Sequence, residues 1–207
     1  MISGRGSNLG ALLSAAREPG YPAEIALVIC NQPDAPGLAV ATAARVPSAV
    51  LDHRAFGRDR GAHEADIEAE LHRHGIEIVC LAGYMRVLTP SLVRRWAGRM
   101  LNIHPSLLPA FPGLDTHARA LTAGVKLHGC TAHLVTETVD QGPILAQAAV
   151  PVLPGDSPAS LAARVLAQEH VIYPLALSLV AGEGMGAQPA DAAASLRNPL
   201  PGPGKPP

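Results

Sequence analysis

Cysteine is scarce in this chain, with three among 207 residues. Cys30, Cys80 and Cys130 show no C-x-x-C spacing and each lies inside an apolar run. That placement predicts small buried side chains in a reducing compartment, because disulfide frameworks and zinc sites need paired or clustered cysteines.

Charge of either sign is also scarce. Charged residues make up 16% of the chain, the net charge is −1 and the pI is near 6.7, so no electrostatic footprint for nucleic acid or anionic membrane exists. No uninterrupted apolar run approaches the ~18 residues of a membrane span, and no signal-peptide pattern is found. We therefore expect a cytoplasmic protein that acts on small molecules, with no nucleic-acid or membrane partner.

What the chain does contain is enough apolar sequence for one core. At 48% hydrophobic residues, 207 positions suffice for a single well-buried domain and are too few for two. From residue 183 onward the sequence is rich in Gly, Ala and Pro. We therefore predict one folded domain over residues 1–182 and a disordered tail over 183–207.

Strand and helix patterns alternate along the domain, which indicates the α/β class. The apolar runs predict strands at 25–30, 48–51, 76–82, 100–103, 129–135 and 144–152. Helical spacing predicts helices after residue 7, at 37–44, at 60–74, from Pro90 to Trp96, at 117–123, and from 158 with an interruption at Pro174. This order predicts a three-layer, doubly wound and mostly parallel sheet.

The strand at 100–103 leads to the most informative polar residues. Asn102 and His104 are two positions apart and project to the same side, and Pro105 ends the strand. Ligands of open α/β sheets bind at the carboxyl ends of strands, so both side chains would face a cleft. With Asp140 downstream, they suggest an acyl-transfer site. The alternative is a strand that simply ends in polar residues.

A glycine-rich turn opens the chain and feeds a helix. Gly4 and Gly6 permit tight backbone geometry, and Ser7 or Asn8 stands beside free backbone N–H groups, which together favour a phosphate. Leu9 replaces the third glycine of a dinucleotide fingerprint, and no G-K-[ST] follows. An ordinary capped turn remains the alternative.

The remaining histidines give no metal pattern. His53, His63, His72 and His74 are each expected to be solvated or locally bonded, since none has a partner at ligand spacing. His133 lies on a strand of alternating polar residues close in sequence to Asp140. We expect it to contact the catalytic residues and not the substrate. The alternative is a polar residue that only makes hydrogen bonds within the protein.

Five segments, in order and spacing, resemble the phosphoribosylglycinamide formyltransferase family, the folate-dependent enzymes of purine synthesis. They are Ser3–Leu9, Leu81–Arg86, Asn102–Pro109, Phe111–His117 and Asp140–Pro143. Together they are far more specific than any one of them. The resemblance implies a Rossmann-like formyltransferase fold.

The resemblance also implies roles for individual residues. Asn102, His104 and Asp140 would be catalytic, Gly6, Ser7 and Asn8 would hold the substrate phosphate, and Glu169 would lie near the glycinamide substrate. The residues implied for folate binding are Arg60, Met85, Arg86, Val87, Leu88, Asn102, Thr136 and Asp140. The implied co-substrate is 10-formyltetrahydrofolate, with no metal, and the expected state is a monomer or weak homodimer.

The implied reaction fits these side chains. The glycinamide amine would attack the formyl carbon, and Asn102 with a protonated His104 would stabilise the oxyanion that develops. Asp140 would keep His104 cationic and accept the proton of the amine, directly or through water, for delivery to the leaving folate nitrogen. No covalent enzyme intermediate is needed.

Other enzyme families share the Asn-x-His motif and the Asp residue, and they are alternative interpretations of the sequence. They are formyltetrahydrofolate hydrolase, which carries an N-terminal regulatory domain, and other 10-formyltetrahydrofolate-dependent enzymes such as methionyl-tRNA formyltransferase, which carries a C-terminal nucleic-acid domain. A non-catalytic folate- or nucleotide-binding module would not need all three catalytic residues. A turnover assay separates these alternatives.

The start of the chain departs from the family pattern. Members normally have a hydrophobic strand before the Ser-Gly-x-Gly turn, whereas only Met1 and Ile2 precede Ser3 here. The first strand is therefore expected to be truncated. We expect that the start has been placed too late and that a few apolar residues belong upstream, because a central strand contributes much of a domain's stability.

Overall fold

The computed structural model describes residues 1–182, and the predicted tail at 183–207 lies outside the described residues. The helices are α1 Ser7–Ala15, α2 Gly37–Ala44, α3 Arg60–Arg73, α4 Pro90–Arg95, α5 Thr116–Ala123 and α6 Pro158–Gly182. The strands are β1 Val28–Cys30, β2 Ser48–Val50, β3 Val79–Leu81, β4 Met100–His104, β5 Leu127–Leu134 and β6 Ile144–Pro151. The predicted alternation of helix and strand is confirmed.

The strands divide into a parallel half and an antiparallel half. β1 pairs with β2 and β3 with β4 in parallel, whereas β4–β5 and β5–β6 are antiparallel. Met1 and Ile2 join the two parallel pairs, since Ile2 N donates to Ile29 O at 2.9 Å and Ala82 N donates to Met1 O at 2.9 Å. The prediction of a doubly wound sheet is confirmed, and the antiparallel strands β5 and β6 form a hairpin at one edge.

Two central strands begin later than the sequence pattern predicts. β1 begins at Val28 and β3 at Val79, although apolar residues extend back to Ile25 and Ile76. Between these upstream stretches lies a cavity of about 640 Å³. A strand needs a hydrogen-bonded neighbour. Met1 and Ile2 are the neighbour of β1 and β3 only from Val28 and Val79 onward, so the residues before these two positions are not strands.

Helices cover both faces of the sheet, which completes three layers. On one face α1 and α6 bury Leu12, Leu161 and Tyr173 against the sheet. On the other face α3 and α4 bury Ile67 and Leu92. Each fully buried leucine or isoleucine contributes about 1.5–3 kcal/mol to folding.

The last helix is continuous, so the predicted interruption at Pro174 is wrong. α6 runs through 25 residues with Pro174 inside it. Proline removes one backbone donor from a helix. Buried side chains on both sides of it, such as Val165 and Leu177, hold the two halves on the same core, and Tyr21 Oη donates to Pro174 O at 2.6 Å.

By length and composition, α6 could also cross a membrane, contrary to the expectation drawn from uninterrupted apolar runs. An 18-residue window of it has a mean hydropathy of 1.3 and is 39% buried. This is weak evidence, because a core helix of a soluble protein meets the same criterion. α6 packs against β5 and β6 and carries the buried carboxylate of Glu169.

Candidate active site

A cavity of about 880 Å³ opens at the carboxyl ends of β3 and β4. Most of the residues that the sequence analysis selected line it: Asn8, Met85, Arg86, Val87, Leu88, Asn102, His104, His133, Thr136, Asp140 and Glu169. Volumes of several hundred Å³ are typical of small-molecule sites. The residues that the carboxyl-end rule selected therefore line one cavity.

Three of the selected residues do not line this cavity. Arg60 is exposed at the start of α3, and Gly6 and Ser7 lie in the turn directly before Asn8. The lining residues that were not selected include Tyr84, Leu114, His117 and Val139. Leu114 and Val139 are exposed apolar side chains at the rim, and no spacing rule marks such residues in advance.

His104 ends β4 between two hydrogen-bond acceptors. Its Nδ1 lies 3.5 Å from Asp140 Oδ2, and both side chains are 7% exposed. Its Nε2 lies 3.0 Å from the carbonyl oxygen of Phe111. Both neighbours are acceptors, so a ring nitrogen that carries a hydrogen faces an acceptor on either side.

Asp140 is held on the loop between β5 and β6. Its backbone adopts a left-handed conformation with φ of 58°. Gly113 N donates to its Oδ2 at 2.7 Å. Nearby, a Cβ on Gly142 would collide with Leu134 O, so only glycine permits this closure of the loop.

Asn102 faces His133 directly across the antiparallel β4–β5 pair. Asn102 Nδ2 lies 3.1 Å from His133 Nε2, and His133 Nδ1 lies 2.9 Å from Leu134 O. If His133 carries its hydrogen on Nδ1, Nε2 accepts from the amide. Burial lowers the pKa of His133, which favours that neutral form.

A β-bulge lies beside His133, with Leu145 of β6 as the extra residue. The register of β5 against β6 shifts between Ala132 and His133. Bulges bend a strand and redirect its side chains, and they are common beside active sites. Successive residues of a strand project to opposite sides, so His133 reaches the cavity wall while Ala132, its neighbour on β5, stays in the core.

Asn8 and Glu169 meet inside the cavity although they come from α1 and α6. Asn8 Nδ2 donates to Glu169 Oε2 at 2.7 Å. Burial raises the pKa of Glu169, and the hydrogen bond from Asn8 opposes that rise. Asn8 Oδ1 is buried and has no hydrogen-bond partner among residues 1–182. The pair therefore offers acceptors to the hydroxyl or amine hydrogens of a ligand.

The glycine turn brings backbone amides to the same end of the cavity. Gly6 is the N-cap of α1 with φ of 76°, and no side chain caps the helix. A Cβ on Gly6 would lie 2.7 Å from the Cα of Gly37, so the turn packs directly on α2. Uncapped N–H groups at a helix start favour an anion.

A side-chain network holds the loop that follows His104. Thr131 Oγ1 donates to Ser106 O at 2.7 Å and accepts from Leu108 N at 3.0 Å. Gln147 Nε2 donates to Leu108 O at 2.9 Å. These contacts fix the loop from β5 and β6, and the sequence pattern gave no sign of them.

The sequence matches the Formyl transferase family over residues 1–177. The chain belongs to the formyl transferase family. The chain is 48% identical over 181 residues to the trifunctional purine biosynthetic protein adenosine-3 of Homo sapiens. The match covers 87% of the chain and 18% of that much longer protein.

Other relatives match over most of their own length. Phosphoribosylglycinamide formyltransferase of Escherichia coli is 44% identical over 178 residues, which is 86% of this chain and 84% of the relative. The crystal structure of phosphoribosylglycinamide formyltransferase from Brucella melitensis is 56% identical with a TM-score of 0.84. That comparison covers 90% of this chain and 95% of the other.

The chemistry available at this site follows from the side chains around the cavity. Asn102 can donate from its amide, and the imidazole of His104 lies 3.5 Å from the carboxylate of Asp140. Among residues 1–182 there is no group of three or more His, Cys, Asp or Glu residues that could hold a metal ion. His63 bonds Leu51 O at 2.9 Å and His53 bonds Asn31 O at 2.9 Å, so both are locally bonded as predicted.

Proposed function

We propose that this protein is a phosphoribosylglycinamide formyltransferase, which transfers the formyl group of 10-formyltetrahydrofolate to the amine of glycinamide ribonucleotide. The observation that carries the proposal is the meeting of Asn102, His104 and Asp140 on one wall of the 880 Å³ cavity. The names of the Escherichia coli and Brucella melitensis relatives support the same substrate.

In the proposed reaction, the amine attacks the formyl carbon and the carbonyl oxygen becomes negatively charged. Asn102 Nδ2 has two hydrogens, of which one is directed to His133, so the other can bind the oxyanion. The positive ring of His104 stabilises the same charge. Donors that are already in place stabilise such a transition state without reorganisation.

Asp140 is the proposed proton carrier. As the amine attacks, its nitrogen becomes acidic and must lose a proton, while the folate nitrogen must gain one as it leaves. A carboxylate beside His104 can accept the first proton, directly or through water, and return it to the leaving nitrogen. The net transfer is balanced, and the side chain is regenerated.

The two ends of the cavity suit the two substrates. Gly6, Ser7 and Asn8 would hold the phosphate at the start of α1, and Glu169 would accept hydrogen bonds from the ribonucleotide. At the opposite end, Met85, Arg86, Val87, Leu88 and Thr136 would enclose the folate. Arg60 is proposed to contact the folate from outside the cavity.

A spectroscopic assay tests the proposal. Release of tetrahydrofolate from 10-formyltetrahydrofolate is followed with and without glycinamide ribonucleotide. Formation of the folate product only in the presence of the ribonucleotide supports formyl transfer. Equal formation without it indicates a hydrolase, and no formation in either case indicates a binding module. The cytoplasmic location and the monomer or weak homodimer remain predictions.

A further inference from the structure

A second pair of histidines lies beside the reacting centre, and the proposed reaction leaves it unused. His117 is the second residue of α5 and lines the cavity. Its Nδ1 lies 3.2 Å from Nε2 of His128, which projects from β5. The two rings meet edge to face, with centroids 5.2 Å apart and an interplanar angle of 87°.

His128 lies in the protein interior and does not line the cavity. It is 1% exposed, and the ring of Phe111 packs on it edge to face at a centroid distance of 5.9 Å. The carbonyl of Phe111 is also the acceptor for His104 Nε2. His128 therefore holds His117 against the same loop that holds His104.

Both rings of the pair are neutral at physiological pH. Burial lowers the pKa of His117, and the nearby His104 lowers it further. Burial, followed by the effect of His117, lowers the pKa of His128 to about 4. A neutral imidazole has one donor nitrogen and one acceptor nitrogen.

Three imidazoles line the cavity, and His117 alone has a nitrogen without a protein partner. His133 contacts Asn102 and Leu134 O with its two nitrogens. His104 faces Asp140 and Phe111 O with both of its nitrogens. His117 uses Nδ1 for His128, and among residues 1–182 its Nε2 has no hydrogen-bond partner.

We propose that His117 Nε2 accepts a hydrogen bond from an N–H of the amine substrate, and that His128 is the positioning residue that holds His117 in the required tautomer. The hydrogen of His117 lies on Nδ1 and is donated to His128 Nε2. This inference rests on the proposed function for the identity of the amine. The contact orients the attacking nitrogen, and no proton transfer is assigned to it.

Three substitutions test the pair kinetically. His117→Leu should lower kcat/KM for glycinamide ribonucleotide about tenfold, the loss expected for one hydrogen bond, while KM for the folate stays within about twofold. His128→Leu should give a smaller loss in the same parameter. His128→Gln should restore it, because the amide oxygen can accept from His117 Nδ1. His72→Leu, on the exposed face of α3, is the control.

An NMR measurement tests the pair independently of turnover. In the full chain labelled with ¹⁵N-histidine, His117 should show hydrogen on Nδ1, and glycinamide ribonucleotide should shift its Nε2 resonance. The absence of that shift, or wild-type kinetics in His117→Leu, overturns the inference. If the wild-type protein transfers no formyl group, the proposed function fails, and the Nε2 shift still decides whether His117 contacts this amine.

Discussion

The side-chain amide of Asn102 is directed at the ring of His133, with Nδ2 3.1 Å from Nε2. This distance follows from register, because Asn102 and His133 are opposite each other in the β4–β5 ladder. One amide hydrogen is thereby fixed, and the other is left in a defined direction at the cavity wall. The antiparallel half of the sheet thus prepares the proposed oxyanion donor.

Asn102→Ala should lower kcat by about 10²–10³, the usual cost of losing one oxyanion donor. His133→Leu should lower kcat by a smaller factor, since it leaves the donor in place but frees its rotation. Steady-state kinetics with both substrates measure these effects, and circular dichroism checks the fold. If folded Asn102→Ala has near wild-type turnover, the assigned role is wrong.

Asp140→Asn should lower kcat by about 10²–10⁴, because the amide cannot accept the proton and no longer supports a positive His104. The size of the side chain and its contact with Gly113 N are retained, so the melting temperature should change little. Rates measured from pH 6 to 9 provide the test. A folded variant with unchanged kcat would remove Asp140 from the mechanism.

Ser7→Asp should raise KM for glycinamide ribonucleotide, because it places a negative charge at the proposed phosphate site at the start of α1. Ser14→Asp adds the same charge at the far end of the same helix, where the side chain is exposed, and serves as the matched control. An equal KM in both variants would remove the phosphate assignment but leave the acyl-transfer site standing.

An added N-terminal strand should stabilise the fold. An apolar extension of about five or six residues before Met1 would pair with residues 25–27 and 76–78 and fill the 640 Å³ cavity. It would also replace a buried amine, whose pKa burial lowers, with a peptide N–H. We expect a rise in melting temperature of roughly 5–10 °C.

A Gly/Ser extension of the same length is the control for that experiment, since it lengthens the chain without supplying apolar side chains. Melting temperature and formyl transfer are compared for all three proteins. Equal melting temperatures for the apolar extension and the 207-residue chain would show that the cavity does not act as a strand site.

Stability should fall as the pH is lowered from about 6.5 to 4. In the folded protein the pKa of His128 is lowered to about 4, whereas unfolded histidine has a pKa of about 6.5. The unfolded chain therefore binds more protons in this window, and protonation favours unfolding. His117 and His133, whose pKa values are also lowered, act in the same direction.

Melting temperatures measured from pH 7.5 to 4.5 test this, and His128→Gln should reduce the slope. Glu169, whose pKa burial raises, opposes this trend, whereas carboxylates whose pKa is lowered act in a different window. The pKa of Asp52 is lowered to about 2 by its hydrogen bonds with Arg54, so its contribution to stability is lost only below about pH 4. A flat profile between pH 6.5 and 4.5 would contradict the assignment to histidine.

Local sequence rules predicted much of the fold and one wall of the site. Periodicity located the helices and strands, and the end of β4 placed Asn102 and His104 at the cavity. The same rules overextended β1 and β3, because the length of a strand depends on its neighbours as well as on its own residues. They also predicted an interruption of α6 at Pro174. The helix is continuous there, because packing against the core overrides the local cost of proline.

Contacts between distant segments could not be predicted from spacing. His117 and His128 are brought together by a helix and a strand. His117 ends one of the five family segments, but nothing in the sequence marks His128 as its partner. The choice of Glu169 came from family resemblance, since nothing in its neighbourhood marks a buried carboxylate. Long-range pairing of this kind depends on the assembled sheet and not on any single stretch of sequence.

Asn8 and Glu169, which share a hydrogen bond in the cavity, are 161 residues apart in the chain. During synthesis, the Asn8 side chain is completed long before its partner leaves the ribosome. Residues 1–150 could therefore form most of the sheet while the end of the cavity beside Asn8 still lacked its carboxylate. A ligand can therefore bind at the Asn8 end of the cavity only after α6 has docked. Binding at this end would show that the fold is complete.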